Sequence, residues 1–409
     1  MWWPKTARQE ELLALAGELG GRFAERATRH DREGSFPFEN FADLHASGYL
    51  ALTIPTAFGG AGDAILDVAL AQERLARGDG STALGMSMHL SILGRLGMAV
   101  ASGQESGGWT RERYAGVART VIDEGALINS AASEPETGSP SRGGRPVTTA
   151  EPQPAGGPAA GFVLRGRKTY TTMAPALRYF IVSATIEASD GPQAGQFLLE
   201  RGLPGLRVEE TWDALGMRAS GSHDLVLDAV YVPAAALLSA RPYAPPRSPA
   251  APASPPEEGA AWAALIPAVY LGIATAAREA AVAFAREHRP QPLDGKAIGE
   301  VPAVQRLLGE IEVALAGARA LLFGTVEAWQ EAPSRRAALL PLLHAAKYVV
   351  TNQAVAVTDK AMRVIGGAGL AMTHPVQRYY RDVRAGLHHP PMDDVTLTTL
   401  ARAALWPAP

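Results

Sequence analysis

The chain has 409 residues, which is long enough to bury a large core and to divide into two or three domains. Its hydrophobic fraction of 47% and charged fraction of 19% predict a soluble globular protein, and its net charge of −3 offers little electrostatic attraction for nucleic acid or an anionic membrane. The absence of Cys excludes disulfides, thiolate nucleophiles and Cys-based metal sites, and the first residues contain no apolar signal core, so a cytoplasmic location is expected.

Residues 1–124 carry apolar side chains at helical spacing and are predicted to form an N-terminal helical domain. Helices are expected over residues 7–30, 38–47, 66–76, 83–101 and 110–122. His89 lies on the fourth of these helices, where a lone His is usually a packed or capping residue.

Short apolar runs over residues 125–240 predict a central domain of strands. Residues 127–139 begin apolar and end in small residues, which let backbone N–H groups approach an electron-rich ligand closely. Residues 166–173 continue a strand in which Tyr170 and Thr172 are expected to point to the same face. An aromatic ring and a hydroxyl group on one face suit a flat cofactor. Taken alone, each stretch also fits a β domain with a polar loop.

Residues 241–259 are dense in Pro and lack periodicity, which predicts an extended linker. The next stretch, residues 260–277, carries no charge over nearly the length of a membrane span. Because it is rich in Ala, contains Pro267 and Gly272, and continues into charged helical sequence, it predicts a buried helix instead.

Residues 260–409 are predicted to form a C-terminal four-helix bundle, with helices over residues 262–287, 304–329, 337–365 and 395–405. Between the last two helices, Gly366, Gly367 and Gly369 interrupt the helical pattern, and Pro375 delays its return.

Five sequence blocks resemble those of the acyl-CoA dehydrogenases and occur in the same order over nearly the whole chain. The family's T-E-P-x-x-G-S loop corresponds to residues 133–139, and its G-x-K-x-W-I-T strand corresponds to residues 166–172. The other blocks are residues 48–62, residues 213–222, and a Gly-Gly turn followed by Arg381-Asp382. The resemblance implies an α+β fold with an N-terminal helical domain, a central β-barrel-like domain and a C-terminal four-helix bundle.

In that family the loop and the strand hold the flavin ring of FAD. The resemblance implies that Tyr170 packs on the ring, that Thr172 bonds near flavin N5, and that the Ser133 loop surrounds the pyrimidine edge. The residues implied around the ring are Ser130, Ala132, Ser133, Gly138, Ser139, Tyr170, Thr171 and Thr172. Ser139 and His89 are also implied to face the substrate.

The resemblance implies that the other half of FAD binds at Gly366 and Gly367. In the family this turn receives FAD from a neighbouring subunit, so a homotetramer or homodimer is expected. Arg363 is expected either to place a cation beside the pyrophosphate or to cap its helix. The remaining contacts implied for this half are Gln305 and one cation from Arg286, His288 or Arg289.

The family's catalytic Glu is missing from both of its usual places, where this chain has Pro390 and Trp262. His389 is the first candidate for the acid–base group, followed by Asp393 and then His388. The alternative is a structural turn whose Asp residues cap the last helix.

The chain is therefore predicted to be a FAD-dependent oxidoreductase. The first hypothesis is a dehydrogenase that acts on the CH–CH group of an acyl-CoA, of another acyl thioester or of another hydrophobic molecule, with an electron-acceptor flavoprotein as partner. The alternative is a monooxygenase of the same fold that takes reduced flavin, FAD or FMN, from a flavin reductase. A third hypothesis is a non-catalytic flavin-binding protein. Nucleic acid and membrane partners are not expected.

Overall fold

The computed structural model describes residues 3–103, 108–138, 144–153, 160–188, 191–243 and 257–406. Its N-terminal part is helical and contains α1 Ala7–Glu33, α2 Phe38–Ala46, α3 Ile65–Ala76, α4 Gly80–Ala101 and α5 Arg111–Glu124. Thr6 begins α1 by accepting a hydrogen bond from the Gln9 N–H, and Asp79 caps α4 in the same way. The predicted helices are present, with their ends shifted by a few residues.

The central part is a mixed sheet of eight strands. The strands are β1 Leu127–Ala131, β2 Thr149–Gln153, β3 Gly161–Thr171, β4 Leu177–Ala188, β5 Gly191–Glu200, β6 Leu206–Glu209, β7 His223–Pro233 and β8 Leu237–Pro242. Hydrogen-bonded neighbours follow the order β6-β7-β3-β2-β4-β5-β8, and β1 pairs with β4 in parallel. All the other neighbours are antiparallel except β2 and β4.

The C-terminal part is helical again and contains α6 Glu257–Glu287, α7 Pro302–Glu331, α8 Arg336–Ile365, α9 Pro375–Asp382 and α10 Asp393–Leu405. Helix α6 is its centre, because it packs on α7 and α8 and also on α3 and α4 of the N-terminal part. Helix α10 has 13 residues, whereas α6 has 31 and α7 and α8 have 30 each. The predicted bundle therefore consists of three long helices and one short one.

Strand β8 and helix α6 extend into the two ends of the linker that was predicted over residues 241–259. Arg241 and Pro242 belong to β8 because they pair with β5, and α6 already begins at Glu257. Residues 244–256 lie outside the described part of the chain. The buried helix predicted over residues 260–277 is confirmed as part of α6. Helices α4 and α6 are long and apolar enough to cross a membrane, but most of each is buried inside the protein, as in core helices.

Gly272 brings α6 into backbone contact with α3. A Cβ added to Gly272 would lie 2.2 Å from the Glu73 carbonyl oxygen and 2.9 Å from Ala76 Cβ. We expect Gly272→Ala to lower the free energy of unfolding by about 1–3 kcal/mol, because the two helices must move apart. The control is Gly317→Ala in α7, where an added Cβ would meet nothing within 4 Å, so that this change should be neutral or stabilising. Urea denaturation measures both, and equal effects would contradict the prediction.

Candidate flavin site

A buried carboxylate organises the loop that follows β1. Glu134 is 2% exposed and accepts hydrogen bonds from the backbone N–H groups of Val147 at 2.6 Å and Thr148 at 2.9 Å. Lys168 of β3 donates to the same carboxylate at 2.6 Å. The loop also closes on itself through backbone hydrogen bonds between Glu134 and Gly138. Residues 132–138 are therefore fixed mainly by hydrogen bonds and one ion pair.

Burial opposes the charged forms of Glu134 and Lys168, and the contact between the two groups counteracts this effect. Burial would raise the pKa of Glu134, but hydrogen bonds from Lys168 and Thr148 lower this pKa to about 2. Burial lowers the pKa of Lys168, and Glu134 counteracts that effect. Lys168 also donates to Ser183 Oγ at 3.2 Å, so the ammonium group links the loop to β3 and β4.

Tyr170 departs from the regular strand at the end of β3. Its φ of 55° is left-handed, and the pairing of β3 with β7 shifts register between Lys168 and Thr171. Tyr170 is 65% exposed, whereas Thr172 is 3% exposed. The prediction that these side chains share one face is wrong, because it assumed an unbroken strand through Thr172. The Tyr170 ring lies at the surface, edge-on to Trp212 with ring centroids 6.1 Å apart.

Thr172 belongs to a chain of buried hydroxyl groups. Its Oγ1 lies 2.9 Å from Ser222 Oγ, which lies 2.7 Å from Ser220 Oγ. The Thr172 carbonyl oxygen accepts a hydrogen bond from Asn129 Nδ2 of β1 at 2.9 Å. Sequence reasoning missed these three partners, although the family block over residues 213–222 contains Ser220 and Ser222 and could have indicated both.

The structure brings several predicted ring contacts together. The Thr169 N–H donates to the Ser133 carbonyl oxygen at 2.9 Å, so the loop lies against β3 next to Tyr170 and Thr171. Thr171 Oγ1 is buried and has no hydrogen-bond partner among the described residues. The other predicted residues of this group that the structure describes are Ser130, Ala132 and Gly138. Ser139 lies outside the described residues.

These features fit a flat, hydrogen-bonding ligand such as a flavin ring. The Tyr170 ring is uncovered, the neighbouring loop consists largely of small residues, and the Thr171 hydroxyl group is buried without a partner within the described chain. A planar ring covering Tyr170 would bury apolar surface and could reach the polar groups of the loop.

His89 has a structural role. The ring is fully buried, its Nδ1 accepts a hydrogen bond from the Ile128 N–H at 3.2 Å, and its Nε2 donates to the Leu50 carbonyl oxygen at 3.1 Å. Burial lowers the pKa of His89 to about 4, so the ring is neutral. Because both nitrogens are used, the expectation that His89 contacts the substrate is replaced by the packing role, in which it joins α4 to β1.

The contacts predicted for the second half of FAD lie at the surface of the single chain. Six of the residues concerned are Arg286, His288, Gln305, Arg363, Gly366 and Gly367. The Phe284 ring stacks on His288 with centroids 4.7 Å apart and meets His374 edge-on at 6.3 Å. The end of α6 therefore lies beside the segment that joins α8 to α9.

Two of these side chains already have partners within the chain. Arg363 Nε donates to Asp359 Oδ2, one turn earlier in α8, at 2.8 Å. Gln305 Nε2 donates to the Gly299 carbonyl oxygen at 3.0 Å. A cofactor contact from either side chain would require it to exchange or share its present partner.

The segment between α9 and α10 contains the predicted acid–base residues. Burial, together with the positive charges of Lys347 and His388, lowers the pKa of His389 to about 3. A histidine with so low a pKa is neutral and a weak base near neutral pH, and its role as the acid–base group stays a prediction. His388 is exposed to solvent.

Asp393 is engaged by two side chains of α8. Its Oδ2 accepts a hydrogen bond from Asn352 Nδ2 at 2.9 Å, and its Oδ1 lies 3.5 Å from Lys347 Nζ. The N-cap of α10 is Met392, so Asp393 and Asp394 occupy the first turn instead of the expected cap position. Negative charge there is stabilised by the helix dipole.

The sheet domain lies between two helical domains in the chain, and it carries the Ser133 loop and strand β3. This arrangement is typical of a flavin-dependent oxidoreductase of the acyl-CoA dehydrogenase type. The chain belongs to the acyl-CoA dehydrogenase family, whose N-terminal, middle and C-terminal domain models match residues 6–106, 129–230 and 264–393. The predicted family, its fold and its class as a flavin-dependent oxidoreductase are thereby confirmed.

Its relatives include acyl-CoA dehydrogenases and amino sugar nitrososynthases. The chain is 45% identical to the putative acyl-CoA dehydrogenase YdbM of Bacillus subtilis (strain 168) over 97% of both chains. It is 33% identical to the amino sugar nitrososynthase RubN8 of Streptomyces rubradiris, over 93% of this chain and 86% of the relative. Among solved structures, it superposes with a TM-score of 0.84 and 30% identity on KijD3 in complex with FMN and dTDP-3-amino-2,3,6-trideoxy-4-keto-3-methyl-D-glucose, covering 99% of this chain and 95% of KijD3.

Proposed function

We propose that the protein is a monooxygenase that uses reduced flavin supplied by a partner reductase. The proposal rests on the absence of the family's catalytic Glu from the turn that precedes α10. Pro390 and Trp262 occupy the places where the family's Glu is expected, and neither has a carboxylate. His389 is too weak a base, and the Asp393 carboxylate is engaged by α8. Removal of an α-proton from an acyl thioester therefore lacks a suitable base, whereas transfer of oxygen to a nucleophilic atom that is already uncharged does not require one.

We propose a primary amine as the substrate class. RubN8 is named for its action on an amino sugar, and the ligand of KijD3 carries an amino group on a sugar ring. An amine must be uncharged to offer its lone pair to an oxygen donor.

The flavin, when bound and reduced, supplies the two electrons with which dioxygen gives one atom to the substrate and releases the other as water. We expect Tyr170 to pack on the flavin ring and the backbone of the Ser133 loop to bind its polar edge. The hydroxyl chain from Thr172 to Ser220 is expected to keep Thr172 in one orientation beside the ring. The Ser133 loop, which is fixed by its hydrogen bonds and ion pair, and the hydroxyl chain would thus hold the ring in one orientation.

We expect FMN to bind at least as tightly as FAD. The side chains predicted for the second half of FAD are exposed, and Arg363 and Gln305 are hydrogen-bonded within the chain. The KijD3 complex contains FMN. Binding of both flavins can be compared by the change in flavin absorbance or fluorescence.

The proposal predicts that an amine, oxygen and a reductase are all required for turnover. Purified protein loaded with FMN should convert a panel of primary amines into hydroxylamines or nitroso compounds when NADH and a flavin reductase are added in air. Mass spectrometry with ¹⁸O₂ should show label in the product. Under anaerobic conditions, an acyl-CoA panel should leave the flavin absorbance unchanged. As a control, Tyr170→Ala should weaken flavin binding while Tyr231→Ala, another exposed Tyr of the sheet, should not.

The second candidate is an acyl-CoA dehydrogenase, and the identity of 45% to YdbM favours it. Loss of flavin absorbance with any acyl-CoA in the absence of a reductase would support this candidate and overturn the monooxygenase. A homotetramer or homodimer and a cytoplasmic location also remain proposals. Light scattering of the holoprotein tests the first of these.

A further inference from the structure

A cluster of buried polar atoms lies where α6, α8 and α10 meet the turn before α10. Each of these atoms is shielded from solvent and forms no short hydrogen bond among the described residues, although Lys347 Nζ and Asp393 Oδ1 form an ion pair with each other at 3.5 Å. The cluster consists of Tyr270 on α6, Lys347 on α8, His389 in the turn, and Asp393 and Thr396 on α10, with the atoms Oη, Nζ, Nε2, Oδ1 and Oγ1 in that order. We refer to it as the Lys347 cluster.

The Lys and Tyr side chains that are buried elsewhere among the described residues are hydrogen-bonded. Lys168 has both Glu134 and Ser183 as partners. The hydroxyl groups of Tyr49 and Tyr114 donate to Gln72 at 3.0 Å and to the Leu93 carbonyl oxygen at 2.8 Å. Buried polar groups in folded proteins nearly always have partners, so the lack of partners in the Lys347 cluster requires an explanation.

Two pairs within the cluster are in contact, Lys347 with Asp393 and Tyr270 with His389. Lys347 is fully buried, and its ammonium group lies 3.5 Å from Asp393 Oδ1, a longer separation than the 2.6 Å between Lys168 and Glu134. The rings of Tyr270 and His389 have centroids 5.8 Å apart. The Trp262 ring lies edge-on to His389, with ring centroids 6.0 Å apart.

The cluster adjoins the place where the family's base is expected. Trp262 Nε1 donates to the Pro390 carbonyl oxygen at 2.8 Å, so the wall of the cluster and the turn are joined directly. A substrate held near this turn could therefore extend a polar group toward Lys347.

The chemistry of the cluster selects a neutral polar group. Lys347 and Tyr270 offer N–H and O–H donors, and Asp393 Oδ1 offers an acceptor. A carboxylate would face Asp393, and an ammonium group would face Lys347, so either ion meets a like charge. A hydroxyl group can accept from Lys347 or Tyr270 and donate to Asp393. An acyl chain would leave all of these atoms without partners.

We infer that the Lys347 cluster is a substrate subsite that binds a hydroxyl group. Lys347 and Tyr270 donate hydrogen bonds to the hydroxyl oxygen, and Asp393 accepts a hydrogen bond from the hydroxyl O–H. This inference rests on the proposed function, because the ligand is taken to be the amine substrate. The substrate class is therefore a hydroxylated amine, and Lys347 and Tyr270 determine specificity for the hydroxyl group.

The test compares two amines that differ by one hydroxyl group, trans-4-aminocyclohexanol and cyclohexylamine. Calorimetry on the oxidised FMN holoenzyme measures their binding without turnover. Wild-type protein should bind the aminocyclohexanol at least about tenfold more tightly, since a site built to hydrogen-bond a hydroxyl group discriminates against an analogue that lacks it. Lys347→Met should remove this preference. Lys360→Met, on the same helix but 28% exposed and paired with Glu310, should retain it.

Tyr270→Phe provides a second variant in case Lys347→Met does not fold. It removes only a hydroxyl group that has no partner among the described residues, so stability should not fall while the preference decreases several-fold. Equal binding of the two amines by wild-type protein, no binding of either, or a preference that survives both substitutions would overturn the inference and leave ordered water as the occupant. If amines are oxygenated but without any preference, the subsite is wrong and the monooxygenase stands. If the preference depends on Lys347 but no amine is oxygenated, the subsite stands and the monooxygenase is wrong.

Discussion

Lys168→Met should lower the free energy of unfolding by about 3–5 kcal/mol, because it leaves the Glu134 carboxylate buried without its cation. Both side chains are nearly inaccessible to solvent, and their ion pair is 2.6 Å long. The carboxylate also orients the backbone of residues 132–138, so the variant should lose affinity for flavin even where it remains folded. Urea denaturation and a flavin titration measure the two effects separately.

The matched control is Lys5→Met. Lys5 forms an ion pair with Glu327 that is nearly as short, at 2.7 Å, but the Lys5 side chain is 47% exposed. Exposed pairs contribute about 1 kcal/mol or less. If both substitutions lower the free energy of unfolding equally, burial does not explain how the Glu134–Lys168 pair stabilises the protein. If flavin affinity is unchanged in folded Lys168→Met, the ion pair does not position the loop.

Sequence motifs predicted that the Ser133 loop and the strand carrying Tyr170 lie together, and the structure brings them together. They could not predict the ion pair that fixes the loop, because Glu134 and Lys168 are 34 residues apart and charged residues are usually exposed. The sequence also could not predict the orientation of the Tyr170 side chain. Strand periodicity assumes a regular backbone, and one left-handed residue at Tyr170 ends the alternation.

The acid–base candidates show a second limit of sequence reasoning. Counting along the chain located the turn that contains His389, but the strength of a base depends on its surroundings in three dimensions. The groups that lower the pKa of this ring include Lys347, which lies on a different helix. The same separation concealed the Lys347 cluster, whose members come from three helices and a turn.

Arg381 and Asp382 stand in a family block, but in this chain they connect domains. Arg381 binds both oxygens of Asp31 in α1, at 2.9 and 2.5 Å, and donates to the Leu215 carbonyl oxygen at 2.9 Å. Asp382 is buried and accepts from the Met217 N–H at 2.7 Å. The end of α9 therefore joins α1 of the N-terminal part to residues 215–217 of the central part.

We expect Arg381→Met to lower the free energy of unfolding by about 3 kcal/mol or more, because Asp31 is 5% exposed and would lose its cation. Arg306→Met is the control, since the ion pair of Arg306 with Glu310 is exposed and should contribute well under 1 kcal/mol. Denaturation followed by near-ultraviolet circular dichroism measures both variants. Combining Arg381→Met with Asp31→Leu tests the cause: without the unpaired Asp31 carboxylate, the double variant should recover part of the lost stability. If the double variant is as unstable as the sum of the two single variants, the loss comes from packing between the domains and not from the unpaired carboxylate.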